Sequence, residues 1–161
     1  MSTPTSAELE YIERVARLFE DSGQSRIAGR IFAWLMICDP LEQSQPELAA
    51  ALGASKASIS TEVRALIGYG LVERTSKPGE RRSYYRIPED GWATLLERRA
   101  RIIAKFRQAA VEGLELLEGA PARRRARLVS MRRTYTLMGR ALESALGELR
   151  AATRARKKRR R

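Results

Sequence analysis

The chain has 161 residues, with 31 Lys or Arg against 19 Asp or Glu, no His and one Cys, for a formal net charge of +12. Without an imidazole, a Ser-His-Asp triad, a Cys-His pair, a His-bearing zinc site and His acid/base catalysis are all excluded. Cys38 alone forms no internal disulfide, which suits a reducing cytoplasm, and 43% hydrophobic residues suffice for the core of one domain, with or without a helical arm.

The segment from Met1 to Leu9 lacks a basic region followed by an apolar stretch, so no secretory signal is expected. The most apolar run, Ile31 to Cys38, is far shorter than the roughly 20 residues of a membrane span. Arg supplies 26 of the basic residues and Lys 5, which favours planar, bidentate phosphate binding. Seven basic residues and no acid lie between Arg154 and Arg161, leaving +5 for the remainder. Such a run reads as a disordered basic tail, residues 153–161, held to a polyanion by counterion release, or as a solvated helix end.

From Ser6, the residues Tyr11, Ile12, Val15, Leu18 and Phe19 recur at helical spacing until the turn residues Asp21 to Gly23. A second helix begins near Ser25 with Ile27, Ala28, Ile31, Phe32, Leu35 and Cys38. Trp34, Met36 and Ile37 make its last turns apolar all round, which predicts a central position. Ser44-Gln45-Pro46-Glu47 carries a capping box with Pro in the first turn, opening a short helix over about 45–52. Gly53-Ala54 makes a turn. Ser55 caps the next helix, which buries Ile59, Val63, Leu66 and Ile67 and ends at Gly70.

Beyond Gly70 the period falls from about 3.6 to 2. Leu71 to Thr75 and Ser83 to Ile87 are β-prone and flank the Pro78-Gly79 turn, giving a hairpin with a basic tip. Asp90 is expected to cap a helix over about 91–118, striped by Trp92, Leu95, Leu96, Ile102, Ile103, Phe106, Ala110, Leu114 and Leu117. Gly119 closes it and Pro121 opens the last helix. There Leu128, Met131, Tyr135, Met138, Leu142, Ala145 and Leu149 form an a/d seam of about three heptads. Partner helices are expected to cover these stripes; an antiparallel hairpin within one subunit is the alternative.

Two short helices joined by a tight turn, followed by a β-hairpin, define a winged helix-turn-helix, mainly α with a small β wing. The outer face of the second helix keeps Ser55, Lys56, Ala57, Ser58, Ser60, Thr61 and Arg64, groups able to meet base edges and phosphates. Lys77, Arg81 and Arg82 flank the wing turn, where a narrow minor groove attracts cations. The alternative for the hydroxylated positions is a solvated helix face, and for one wing cation a pairing with Glu80.

These residues carry a resemblance. Gly23-Gln24-Ser25-Arg26-Ile27-Ala28-Gly29-Arg30-Ile31, Gln45-Pro46-Glu47-Leu48-Ala49, Leu52-Gly53-Ala54-Ser55-Lys56-Ala57-Ser58-Ile59-Ser60 and Gly70-Leu71-Val72-Glu73-Arg74, with Pro78-Gly79-Glu80-Arg81-Arg82-Ser83-Tyr84-Tyr85, resemble the MarR superfamily and within it the GbsR-like branch, the glycine betaine synthesis regulators. The likeness covers about residues 8–120. It implies a homodimeric winged-helix transcription factor, usually a repressor, with a dimerisation helix over 1–22, a DNA-binding domain over 23–89 and a helical dimerisation region over 90–152. It also implies that Ser55, Lys56, Ser58, Ser60 and Arg64 lie in or beside the major groove, and Arg81 at the wing.

Many members of the superfamily release DNA when a small molecule binds between the two layers. Trp34, Met36, Trp92 and Phe106 are the candidates for such a pocket, and an aromatic pair could hold a quaternary ammonium; aromatics on buried stripes are more often core. Cys38, flanked by apolar residues, reads as a buried thiol with a raised pKa rather than a redox sensor. The expected partners are therefore double-stranded DNA, a second copy of the chain and a small-molecule effector, with no cofactor, metal or membrane, in a cytoplasmic, nucleoid-associated protein. The rival is an architectural or RNA-binding basic protein with little sequence specificity. An enzyme is disfavoured, because neither paired carboxylates in an apolar pocket pattern nor a Gly-rich phosphate loop occurs.

Overall fold

The computed structural model describes residues 3–88 and 91–159, with side chains described as far as Ala155. Six helices and three short strands are found among them. They run α1 (Ser6–Asp21), α2 (Arg26–Ile37), β1 (Gln43–Ser44), α3 (Gln45–Leu52), α4 (Lys56–Tyr69), β2 (Glu73–Ser76), β3 (Ser83–Arg86), α5 (Gly91–Leu116) and α6 (Ala122–Arg159). The chain forms two compact units that divide between Gly91 and Trp92.

In the first unit each helix starts where a side chain satisfies amides that the helix cannot. Thr5 and Glu8 exchange hydrogen bonds at the start of α1, with the Thr5 amide donating to Glu8 Oε2 at 2.7 Å. Ser25 accepts from the Ala28 amide at 3.0 Å to open α2. At α3 the amide and hydroxyl of Ser44 both donate to Glu47 Oε2, at 2.7 and 2.6 Å. Such caps typically contribute about 1 kcal/mol each. Partial burial alone would raise the Glu47 carboxyl, but the two Ser44 hydrogen bonds outweigh it, so its pKa lies below the usual value.

Helix α2 occupies the centre, as its all-round apolar pattern predicts. Ala28, Gly29, Ile31, Phe32, Ala33, Trp34 and Leu35 are all buried. Its contact with α1 is set by Gly29, where an added Cβ would fall 2.7 Å from Ala16 Cα and 2.9 Å from Phe19 Cβ. Beside this crossing, Phe19 and Phe32 pack with ring centroids 5.3 Å apart. Glu13 on α1 takes Arg26 at 2.6 Å and Arg30 at 2.6 Å, tying the exposed edge of the crossing to α2.

The other side of α2 receives α4, and Ile59, Val63 and Leu66 are fully buried there. At roughly 1.5–3 kcal/mol each, these three anchors fix the roll of α4 about its own axis. The sheet is three-stranded and antiparallel in the order β1-β3-β2, with Ser44 opposite Tyr84 and Thr75 opposite Tyr84 on the other side. The expected hairpin therefore leans on a third strand, the two residues before α3, as well as on helices.

The second unit is an antiparallel pair of long helices. Leu128 packs against Gly113, Tyr135 stacks on Phe106 with centroids 5.0 Å apart, Ile103 lies by Gly139, and Arg150 pairs with Glu97 at 2.6 Å. Leu128 and Tyr135, expected in a seam facing a partner, thus face α5 of the same chain, because the seam residues and the α5 stripe are the nearest complementary apolar surfaces. The start of α5 expected at Asp90 lies outside the described residues.

The basic segment 153–161, expected as a disordered tail or as a solvated helix end, continues α6 as far as Arg159, and residues 160–161 lie outside the described residues. No Gly or Pro follows Gly147, and Ala, Arg and Lys are strong helix formers. Positive side chains also interact favourably with the C-terminal end of the helix dipole.

Two measurements check this architecture. Gly29→Ala inserts a methyl against helix backbone, so urea unfolding should show a loss of about 1–3 kcal/mol, whereas Gly68→Ala, with open space around its Cα, should not destabilise the chain. Burial pushes the Cys38 thiol up to about 11. At pH 8 its thiolate is then scarce, and a disulfide reagent should modify it roughly a hundredfold or more slower than a free thiol with pKa about 8.5, reaching the ordinary rate only in denaturant.

Candidate nucleic-acid interface

The outward side of α4 is built by the same constraint that buries its inner side. The left-handed backbone at Gly53 (φ +60°) ends α3 and lets the chain turn directly into α4. Ser55 caps α4 by accepting from the Ser58 amide at 3.1 Å, and the two hydroxyls lie 2.9 Å apart. With Ile59, Val63 and Leu66 inward, Ser55, Lys56, Ala57, Ser58, Thr61 and Arg64 are exposed and Ser60 is half-buried. All seven expected residues therefore lie on the first two and a half turns of one helix, six of them open to solvent. Arg64 Nε donates to the Ser60 carbonyl at 3.2 Å, which holds the guanidinium along its own helix.

The amino end of α4 concentrates positive potential without any acidic side chain in its first turn. Its free amides and the nearby Lys56 can meet a phosphate, while Ala57 and Thr61 offer small surfaces to base edges. The arrangement suits binding to a polyanionic duplex.

The three wing cations differ. Arg81 and Arg82 are exposed at the tip, with no ion pair to a described residue. Lys77 is instead held at the base of the wing, 3.0 Å from Glu42 Oε1 and 4.3 Å from the centre of the Tyr84 ring. Its hydrogen bond lowers the Glu42 pKa, and the same contact raises that of Lys77. Thr75 donates to the other oxygen of Glu42 at 3.1 Å. Glu80 accepts from the Tyr84 hydroxyl and so ties the turn back to β3.

Glu42, at the base of the wing, is the residue that sequence reasoning missed. It bridges 33 and 35 positions to Thr75 and Lys77, and no local pattern reports such a contact. Arg86 on β3 pairs with Glu73 on β2 at 2.6 Å, a cross-strand tie of the same kind. Together these contacts tie the two strands of the wing to each other and to Glu42, and leave at its tip two guanidinium groups with no ion pair to a described residue.

The residues named as an effector pocket lie in both units. Trp34 is 1% exposed in the core of the first unit, and its indole Nε1 has no hydrogen-bond partner among the described residues. Met36 is on the surface of the same helix. Trp92 and Phe106 belong to the second unit, about half exposed, with Phe106 stacked on Tyr135. Among the described residues no cluster of acidic or Cys side chains is arranged to hold a metal, and no helix is long and apolar enough to cross a membrane.

Comparison with known proteins agrees with this geometry. Residues 35–84 match the MarR family, and residues 90–154 match the family of MmpR5-like MarR family transcriptional regulators. The HTH-type transcriptional regulator MmpR5 of Mycobacterium tuberculosis is 40% identical over 139 residues, spanning 86% of this chain and 84% of that protein. The putative HTH-type transcriptional regulator YvaV of Bacillus subtilis is 27% identical over 90 residues, 56% of this chain and 50% of that one. A crystal structure of a transcriptional regulator superposes with a TM-score of 0.80 at 39% identity, covering 88% of this chain and 97% of the other. The chain belongs to the MarR family of winged helix-turn-helix transcriptional regulators, in its MmpR5-like group.

Proposed function

We propose that this MarR-family regulator is a homodimeric repressor that reads a two-fold-related operator, with α4 in the major groove and the wing at the flanking minor groove. The observation that carries this reading is the division of α4 into a fully buried inner face and an exposed face of small, hydroxylated and basic side chains. Ser55, Lys56, Ala57, Ser58, Ser60, Thr61 and Arg64 are the groups assigned to the major groove. Arg81 and Arg82 are assigned to the minor groove, and Lys77 to holding the wing in place. A protein with this task works in the cytoplasm on the nucleoid. The motifs from Gly23 to Tyr85 further support a likeness to the GbsR-like branch.

The dimer is supported by apolar surface that one subunit leaves uncovered. In the second unit Ile102, Phe106, Leu116, Val129, Leu137 and Met138 are all more than 40% exposed. Large exposed apolar patches of this kind mark protein interfaces. We assign Met138 and its neighbours to the partner contact, with Met131, Leu142 and Leu149 half-buried beneath. A two-fold dimer would repeat α4 at a distance matched to successive major grooves, about 34 Å. A small-molecule effector remains part of the proposal only as a ligand that would change this spacing.

Ser58→Glu tests the reading without unfolding the chain. Ser58 is three residues after the cap Ser55, so a Glu there completes a capping box and supports α4, yet it sets a carboxylate where phosphate should approach. Binding to a DNA fragment spanning the protein's own gene and its upstream region should weaken by at least about 2 kcal/mol, since like charges at an interface cost several kcal/mol. Arg64→Ala should cost about 1–3 kcal/mol if it reaches a base. Wild-type affinity in Ser58→Glu would remove α4 from the interface. For the dimer, sedimentation of the wild type should give twice the chain mass at micromolar concentration, and Leu137→Glu with Met138→Glu should shift it to the monomer. A wild-type monomer would contradict the assignment.

A further inference from the structure

The charge of this chain is not where its reader is. Residues 1–91, which hold the helix-turn-helix and wing, carry eleven Lys or Arg and thirteen Asp or Glu, a net charge of −2. Residues 92–161 carry twenty against six, a net charge of +14. Helix α6 alone has thirteen basic and two acidic residues. Phosphate neutralisation supplies most non-specific affinity for DNA, and a net-negative reader is poorly equipped to supply it.

We propose that the carboxyl-terminal part of α6 is a second DNA-binding element, a basic helical arm that holds duplex phosphates without reading sequence. The proposal rests on the assignment of α4 as a duplex reader. Arg150 pairs with Glu97 on α5. Beyond it the backbone stays helical to Arg159, and Arg154 is exposed with no ion pair to a described residue. From Arg154 to Arg161 seven of eight residues are basic, and like charges recur four apart at Arg150, Arg154 and Lys158. Such spacing destabilises an isolated helix, and a polyanion relieves the repulsion.

The chemistry of the arm selects among polyanions. No aromatic residue follows Tyr135, so single-stranded bases have no stacking platform. From Ala151 onward the apolar positions are Ala only, too little for the buried face of a membrane-surface helix. Arg and Lys without a base-reading scaffold contact phosphate and carry no sequence information. Duplex phosphate is the ligand that these properties fit.

The test compares the full chain with a variant in which all seven basic residues between 154 and 161 are replaced by Gln, which keeps length and helix propensity. Each is titrated with a random-sequence DNA duplex, the same duplex as RNA, and the upstream fragment described above, between 50 and 300 mM KCl. The expected result is a loss of affinity by a common factor on both DNAs. The log-log salt slope should fall in magnitude by as much as about 6 per subunit bound, from roughly 0.9 per phosphate contact. An unchanged slope, a loss confined to the upstream fragment, or a larger loss on the RNA duplex would overturn the arm. Ser58→Glu keeps the two assignments apart. It should abolish the preference for the upstream fragment while leaving the effect of the Gln substitutions on random DNA intact, so a failed reader and a failed arm give different results.

Discussion

The burial of one face of α4 is the constraint on which the rest of the molecule depends. Ile59, Val63 and Leu66 are held against α2, and α2 is itself held against α1 by an approach that only Gly29 permits. A helix anchored at three positions over two turns cannot roll, so the opposite side chains point outward in a fixed arc. The hydroxyls and cations of that arc are held outward by the apolar residues on the opposite face. This is why a methyl at position 29, far from α4 in sequence, belongs to the same account as a carboxylate at position 58.

The wing is fixed by different physics. Two four-residue strands have little apolar area to bury, and isolated hairpins are marginal. Here the ribbon gains a third strand at Gln43–Ser44, and Glu42 beside it accepts from Thr75 and pairs with Lys77. An exposed ion pair contributes little by itself, about 0–1 kcal/mol. Coupled to strand pairing and to the capping box at Ser44, it sets direction more than stability. Charge is divided unevenly between the units: the one with the helix-turn-helix carries a net charge of −2, and the long helices carry the cations.

Much of the first unit was legible because its signals are local. Ser25, Ser44 with Glu47, Ser55, Gly53 and Gly70 mark helix ends through interactions spanning three or four residues, and each stands where the sequence suggests. The inward set Ile59, Val63 and Leu66 follows from period alone. Strand β1 was not legible, since two residues carry no periodicity, and neither was Glu42, whose partners lie more than 30 positions away. The seam from Leu128 to Leu149 was legible as a seam but not as to its partner, because an a/d pattern does not say whether the facing helix belongs to the same chain. At the basic end of α6 charge density favoured a disordered tail and the propensity of Ala, Arg and Lys favoured a helix end, and the backbone is helical as far as Arg159. Trp34 shows the general limit of aromatic positions: the spacing that places it on α2 does not tell core from cavity.

The most direct measurement of whether α4 reads DNA is cleavage from a single site on it. Cys38 is buried with a raised pKa, so a Ser58→Cys chain can carry an iron chelate on the introduced thiol alone. With the fragment upstream of the protein's own gene, the account predicts cleavage at two clusters on each strand. Their centres should lie about one helical turn, or a multiple of one, apart, as two α4 helices in successive major grooves require. Cleavage spread evenly along the fragment, or none above the level of free chelate, would contradict it.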